Sequence, residues 1–174
     1  TNYKQIKTFI FSKNFINLQK KNIQNFDFLN FSKNLGGKIG IGLSRSNIFN
    51  WYSANKNKIG YPWSDDLTSK RLINMVYNYE FINSSSTLIE KKLLDKIIIV
   101  HMCRCLDQFY YKKIGDISSY DLIAVLLSGF ILKKNNNKIF NYLDLIIMKQ
   151  IDSFGMHKSY NILEHSKFIN NLKE

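Results

Sequence analysis

Three side chains able to hold a metal or act as nucleophiles fall together in His101-Met102-Cys103-Arg104-Cys105. A zinc site needs converging ligands, and alternate residues on an α-helix diverge by about 200° per step. On a strand, a fourth ligand at a sensible spacing is still missing. The thiols are therefore expected to pack as small apolar side chains. Cysteines two apart rarely meet disulfide geometry, which points to a reduced, intracellular setting. His157 and His165 stand two helical turns apart and read as exposed or capping residues. Asp116, Asp121, Asp144 and Asp152 fit helix caps and helix-surface charges better than a paired general acid and base. The run Gly36-Gly37-Lys38-Ile39-Gly40-Ile41-Gly42 has neither phosphate-loop spacing nor the strand–turn–helix context that such loops need. Nucleophile, base and oxyanion site do not assemble. The chain reads as a non-enzyme, with no cofactor and no metal.

The elements carrying these residues are helical. Ser64-Asp65-Asp66 places a cap and two acids at a helix start, and Leu72, Met75, Val76 and Tyr79 follow at i, i+3, i+4, i+7. Asn83 and Ser84 to Ser86 break that pattern. Thr87-Leu88-Ile89-Glu90 matches a capping box and opens a long apolar helix through Tyr111, in which Ile97–Val100 alone has strand character. Ser118, with Asp121 three residues on, caps the next segment. There Leu122, Val125, Leu126, Gly129 and Phe130 form a stripe, widened by Ile123, Leu127 and Ile131. This helix, Asp116 to Leu132, is expected at the centre of the fold. Further helices are expected over Ile139–Ile151 and Ser159–Leu172. The longest apolar run, about eleven residues from Leu122, is too short to span a bilayer.

Residues 1–34 scatter Ile, Leu and Phe around every helical face, with Lys4, Lys7, Lys13, Lys20 and Lys21 among them. Residues 35–63 hold five of the eight glycines and the only proline, with no period of either kind. They read as a structureless segment that a partner would order. The expectation is therefore an all-α protein, a small helical bundle or helical-hairpin repeat of about four to five helices, with a long basic irregular N-terminal extension. Its divisions would be residues 1–64 and 65–174.

Composition is skewed toward A/T-rich codons, with 22 Lys against 3 Arg and 21 Asn, so these counts alone argue nothing about function. The placement of acids does. Residues 1–64 carry ten Lys/Arg and one acid, Asp27, whereas residues 65–174 carry fifteen and twelve. Such asymmetry points to a polyanion. Lys33, Lys38, Arg45, Lys56 and Lys58 suit phosphate contacts, and Trp51 and Tyr52 suit base stacking. The chain begins at Thr1, as a processed product or a piece of a longer chain would, and its acid-poor start is compatible with organellar import.

Two echoes link the helical segments. Ser119-Tyr120-Asp121-Leu122 returns as Ser159-Tyr160-Asn161-Ile162, and Leu94-Asp95-Lys96-Ile97-Ile98 as Leu143-Asp144-Leu145-Ile146-Ile147. Over about residues 88–172 this texture resembles the heptatricopeptide/octotricopeptide repeats of organellar RNA-associated proteins. Those are often linked to a RAP domain, absent from this chain, and are abundant in apicomplexan mitochondria. The resemblance implies RNA binding, or residence in an apicomplexan-type mitochondrial ribosome. The expected function is a structural subunit of that ribosome in the mitochondrial matrix. Its arm would lie on rRNA and its helical body against neighbouring ribosomal proteins, without stable membrane insertion. The alternatives are an accessory subunit of an organellar membrane complex, such as a respiratory complex or ATP synthase, and a freestanding helical-repeat RNA-maturation factor.

Overall fold

A computed structural model describes residues 24–113, 116–132, 145, 147–149, 151–163, 166 and 169. The named elements among them are α1 (Phe28–Leu35), α2 (Gly37–Asn55), a 3-10 turn (Tyr61–Trp63), α3 (Asp65–Tyr77), α4 (Tyr79–Asn83), α5 (Leu88–Tyr111) and α6 (Ser119–Ile131). The all-α class is borne out. The expected helix starts are found at residues 65, 88 and 119, and Ile97–Val100 is helical. Both capping boxes form. Thr87 Oγ1 accepts from the Glu90 amide at 3.2 Å while Glu90 Oε2 accepts from the Thr87 amide at 2.8 Å. Ser118 and Asp121 repeat the arrangement at 3.2 and 3.0 Å.

The stretch 35–63 corrects the sequence reading, because most of it is α2. Gly36 (φ +63°) and Gly37 (φ +54°) make the left-handed turn between α1 and α2, and the Gly36 amide donates to the Ser32 and Lys33 carbonyls. The two helices then fold back on each other. At Gly40 an added Cβ would stand 2.1 Å from the Ser32 carbonyl oxygen, so only glycine permits this approach. The buried face of α2 is Gly40, Ser44, Ile48, Trp51 and Asn55, a helical spacing built mainly of small and polar residues.

Packing is continuous across residue 64. Phe26, Leu29, Ile48, Trp51 and Trp63 share one core with Leu72, Met75, Leu94, Ile97, Met102, Leu122 and Val125. The basic segment and the helical body thus differ in charge but not in core. The most enclosed helix is also not the one expected. α3 buries Leu67, Thr68, Ser69, Arg71, Leu72, Ile73 and Met75 on almost every side, packed against α5 and α6. α6 buries Leu122, Ala124, Val125, Ser128 and Gly129 but leaves Phe130 85% exposed, so Phe130 leaves the expected stripe.

At the centre lies a cation. Arg71 is fully buried, with Trp51, Trp63 and Phe26 rings 4.1, 5.3 and 5.8 Å from its guanidinium carbon. Its Nη1 donates to the Gln24 carbonyl (2.5 Å), Nη2 to the Pro62 carbonyl (2.6 Å) and Nε to His101 Nε2 (3.1 Å). Since His101 Nε2 accepts, Nδ1 carries the proton and donates to the Ile97 carbonyl at 2.8 Å. Phe26 reaches this cage from a left-handed conformation (φ +66°), which costs a non-glycine residue on the order of 1 kcal/mol.

The helices expected over 139–151 and 159–172 lie largely outside the described residues. Within them, the echo at Ser159-Tyr160 is a turn with Tyr160 at φ +51°, whereas Ser119-Tyr120 begins a helix.

Candidate nucleic-acid interface

The segment 28–64 contains no Asp or Glu. Its lysines gather at the two ends of α2. Lys33 closes α1 and Lys38 opens α2 on either side of the glycine turn, while Lys56 and Lys58 follow the far end; all four are exposed. A helix of 19 residues separates the two ends by about 28 Å. Between them Gly42, Ser46, Asn50 and Ser53 run along one exposed face at helical spacing. Ser46, Asn50 and Ser53 offer short neutral donors on this face, which has no carboxylate and suits a phosphate backbone.

The other expected contacts have different roles. Arg45 is committed to the body of the protein. Its Nη1 meets Glu90 Oε2 at 2.9 Å, its Nη2 donates to the Ser84 carbonyl at 3.0 Å, and its side chain is 13% exposed. Glu90 is held below the usual carboxylate range by its Thr87 capping bonds first, and by Arg45 after them. Trp51 is a core residue, 5% exposed, with its indole N–H donating to Gln24 Oε1 at 2.9 Å. It is not a stacking platform. Tyr52 packs half-buried against the same core. Trp63 is interior too, donating to the Asn55 carbonyl at 2.8 Å, with the Arg104 guanidinium 3.8 Å from its ring centroid. Of the seven expected residues, Lys33, Lys38, Lys56 and Lys58 remain on the surface as an outward-facing set.

The His101–Cys105 run splays as helix geometry requires. His101 faces Arg71, Cys105 lies buried beside Ser69 Oγ (3.9 Å), and Cys103 is exposed, which corrects its expected burial. Burial pushes the Cys105 thiol up to about 12, so no thiolate forms there at neutral pH. Among the described residues no group of three or more His, Cys, Asp or Glu side chains is placed to hold a metal.

Asp121 is engaged on both of its oxygens. Its Oδ2 takes the Lys112 ammonium at 2.6 Å and the Ser118 hydroxyl at 2.8 Å, and its Oδ1 takes the Ser69 hydroxyl at 2.8 Å. Burial pushes its pKa up, but Lys112, Ser118 and Ser69 outweigh that and hold it below the ordinary value. Lys112, also bridged to Asp65 at 3.1 Å, is held above its own ordinary value although burial opposes it. The carboxylate is occupied in clamping α3, α5 and α6 together. Asp152 organises a local turn by accepting from the Phe154 and Met156 amides at 2.9 Å.

Sequence reasoning passed over a polar cleft of about 430 Å³ beside this basic hairpin, lined by Asn25, Asp27, Asn30, Asn74, Asn78 and Tyr77 among others. The only signal for it was Asp27, the lone acid of the first 64 residues. Among the described residues no helix is long and apolar enough to cross a membrane. Comparison with protein-family models, with curated proteins and with solved structures finds no match.

Proposed function

We propose that this protein is a structural, non-catalytic subunit of an organellar ribonucleoprotein, the mitochondrial ribosome, and that it grips rRNA with the α1–α2 hairpin. The observation carrying this reading is the acid-free hairpin with exposed lysines at both ends and short polar residues between them. The five lysines within residues 1–23, with no acid, extend the same charge along the chain. The exposed apolar side chains Ile99, Phe130 and Ile131 support packing against protein neighbours on the α5–α6 side. The composition, skewed toward A/T-rich codons, is what favours an organelle over another compartment.

The test is binding of the full chain to structured RNA across a salt series, beside a variant carrying Lys33→Gln, Lys38→Gln, Lys56→Gln and Lys58→Gln. Each lost phosphate contact lowers the slope of log K against log salt by about 0.7–0.9, so the four-lysine variant should lose up to about 3.6 in slope. Negligible wild-type affinity at low salt, or equal slopes for the two proteins, refutes the reading. Binding to anionic vesicles in place of RNA transfers it to an organellar membrane complex.

A further inference from the structure

We propose that the cleft between the Asn25–Asn30 turn and α3 takes a single unpaired guanine base, supplied by RNA on the functional reading above, on which this inference rests. The cleft is made by residues far apart in sequence. Lys70, Ile73, Asn74 and Tyr77 line one face of α3 at i, i+3, i+4, i+7, and the Asn25–Asp27 turn closes against them. Asn74 Nδ2 pins that turn by donating to the Asn25 carbonyl at 2.9 Å and to Asp27 Oδ1 at 3.1 Å. Asn25 Nδ2 donates to Asp27 Oδ2 at 2.7 Å.

Donor and acceptor accounting identifies the ligand. Both amide hydrogens of Asn74 are spent on these bonds. Those of Asn78 are spent on the Asn74 carbonyl (2.9 Å) and Asn30 Oδ1 (3.5 Å). On the Asn25–Asn78 side the remaining capacity is acceptor: the Oδ1 atoms of Asn74 and Asn78, and an Asp27 carboxylate whose two oxygens each accept one bond and have capacity for another, while Lys70, Tyr77 and Tyr120 bring donors to the rest of the lining. The fitting ligand is flat, to lie against Tyr77, and carries several N–H donors on one edge. Guanine presents three, one on N1 and two on N2. Adenine presents two and uracil one. A carboxylate meets the N1–H and N2–H pair side by side, as it meets the fork of a guanidinium.

Charge separates a base from an arginine side chain of a partner. The adjoining α1–α2 hairpin carries lysines and no acid, so it repels cationic peptide and attracts a nucleotide. At the rim, the Lys70 ammonium lies 4.6 Å from the Tyr120 ring centroid and is bridged to Asp66 at 2.9 Å. Asp27 stands at the N-cap position of α1 and closes the turn, and its remaining acceptor capacity suits a base edge. Facing phosphates it would repel them; facing a base edge it reads one. A cleft of about 430 Å³ is within the range that small-ligand sites occupy.

The experiment compares the RNAs 5′-UUGUU, 5′-UUAUU and 5′-UUIUU, the last with inosine lacking the N2 amine, by fluorescence anisotropy with the full chain. The guanine RNA should bind about tenfold tighter than the adenine RNA, with inosine between them. Asp27→Asn should abolish the preference. Tyr77→Ala, the second variant should Asp27→Asn disturb the turn, should weaken the guanine RNA about fivefold to hundredfold with the urea-unfolding midpoint measured alongside. GMP should compete and L-arginine amide should not. Equal binding of all three RNAs with a steep salt dependence overturns the pocket and leaves the RNA reading standing. Retention of GMP through Asp27 without retention of any RNA overturns the RNA reading and keeps a guanine site. Competition by L-arginine amide equal to that by GMP overturns guanine in favour of a peptide.

Discussion

Acid should loosen this fold through one histidine. His101 is completely buried, and its pKa is pushed from an ordinary 6.5 down to about 3, chiefly by burial and then by the Arg71 charge. Protonation would place a second cation 3.1 Å from the Arg71 guanidinium and turn the acceptor Nε2 into a donor facing a donor. Between pH 6.5 and 3 the unfolded chain binds a proton that the native state refuses. Stability is thus fully present above the unfolded value and falls as pH drops through this window. At 1.36 kcal/mol per pH unit, the 1.5 units from 6.5 to 5.0 cost about 2 kcal/mol, and the full window about 5. For a fold of ordinary stability that is a large fraction. The assay is urea unfolding at pH 7.5 and pH 5.0 for wild type and His101→Gln, which keeps an acceptor without the titration. Asp121 is held below its ordinary 3.8, so its contribution is lost only at lower pH, and pH 5.0 separates the two. Acids common to both proteins cancel in the comparison. The wild type should lose about 2 kcal/mol more than the variant on acidification. An equal loss in both would show that His101 is not held neutral by the cage, and the argument from its geometry would fail.

Arg71→Met should destabilise the protein by about 3 kcal/mol or more in urea. The Gln24 and Pro62 carbonyls and His101 Nε2 then lose their donor at about 1–3 kcal/mol each, offset in part by no longer burying a cation. Arg71→Lys should do no better, because a single ammonium cannot serve acceptors spread around a planar fork. A methionine variant as stable as wild type would mean that the desolvation cost dominates. Gly40→Ala should cost about 1–3 kcal/mol in thermal melts through its clash with the Ser32 carbonyl. Gly42→Ala, with open space around its Cβ, should add up to about 1 kcal/mol. Equal effects at the two glycines would refute the hairpin crossing.

The helices that announce themselves in sequence do so through local chemistry. Thr87 with Glu90, and Ser118 with Asp121, are capping boxes spelled within four residues, and both form. α2 is hidden for the opposite reason. Its buried face is Gly40, Ser44, Ile48, Trp51 and Asn55, so hydropathy shows no stripe, and the glycines that look like loop residues are there to let α1 come close. Trp51 looks like a surface aromatic among lysines because its partners, Gln24 and Arg71, lie 27 and 20 positions away. The cleft is hidden in the same manner. Asn74 meets Asn25 and Asp27 across 49 and 47 positions, and asparagine is so common here that no single one stands out.

The uneven use of cations connects the fold to the proposed function. The chain has only three arginines beside 22 lysines. Each arginine is placed where a planar fork or a stacking face matters: Arg45 across Glu90 and the Ser84 carbonyl, Arg71 inside the aromatic cage, and Arg104 over Trp63. A lysine offers a compact, strongly hydrated charge and would satisfy none of these sites as well. The lysines of the α1–α2 hairpin, by contrast, stay in solvent with no acid in their own segment. In a composition that favours lysine, the guanidinium groups serve interior geometry, and apart from ammonium groups such as Lys112 in its carboxylate clamp, the lysines of the hairpin are the ones offered outward. A polyanion recognised by charge needs only the second kind. Among these outward-facing groups Asp27, fixed by two asparagines at the edge of the basic hairpin, is the one carboxylate, and its position asks for a ligand with donors of its own.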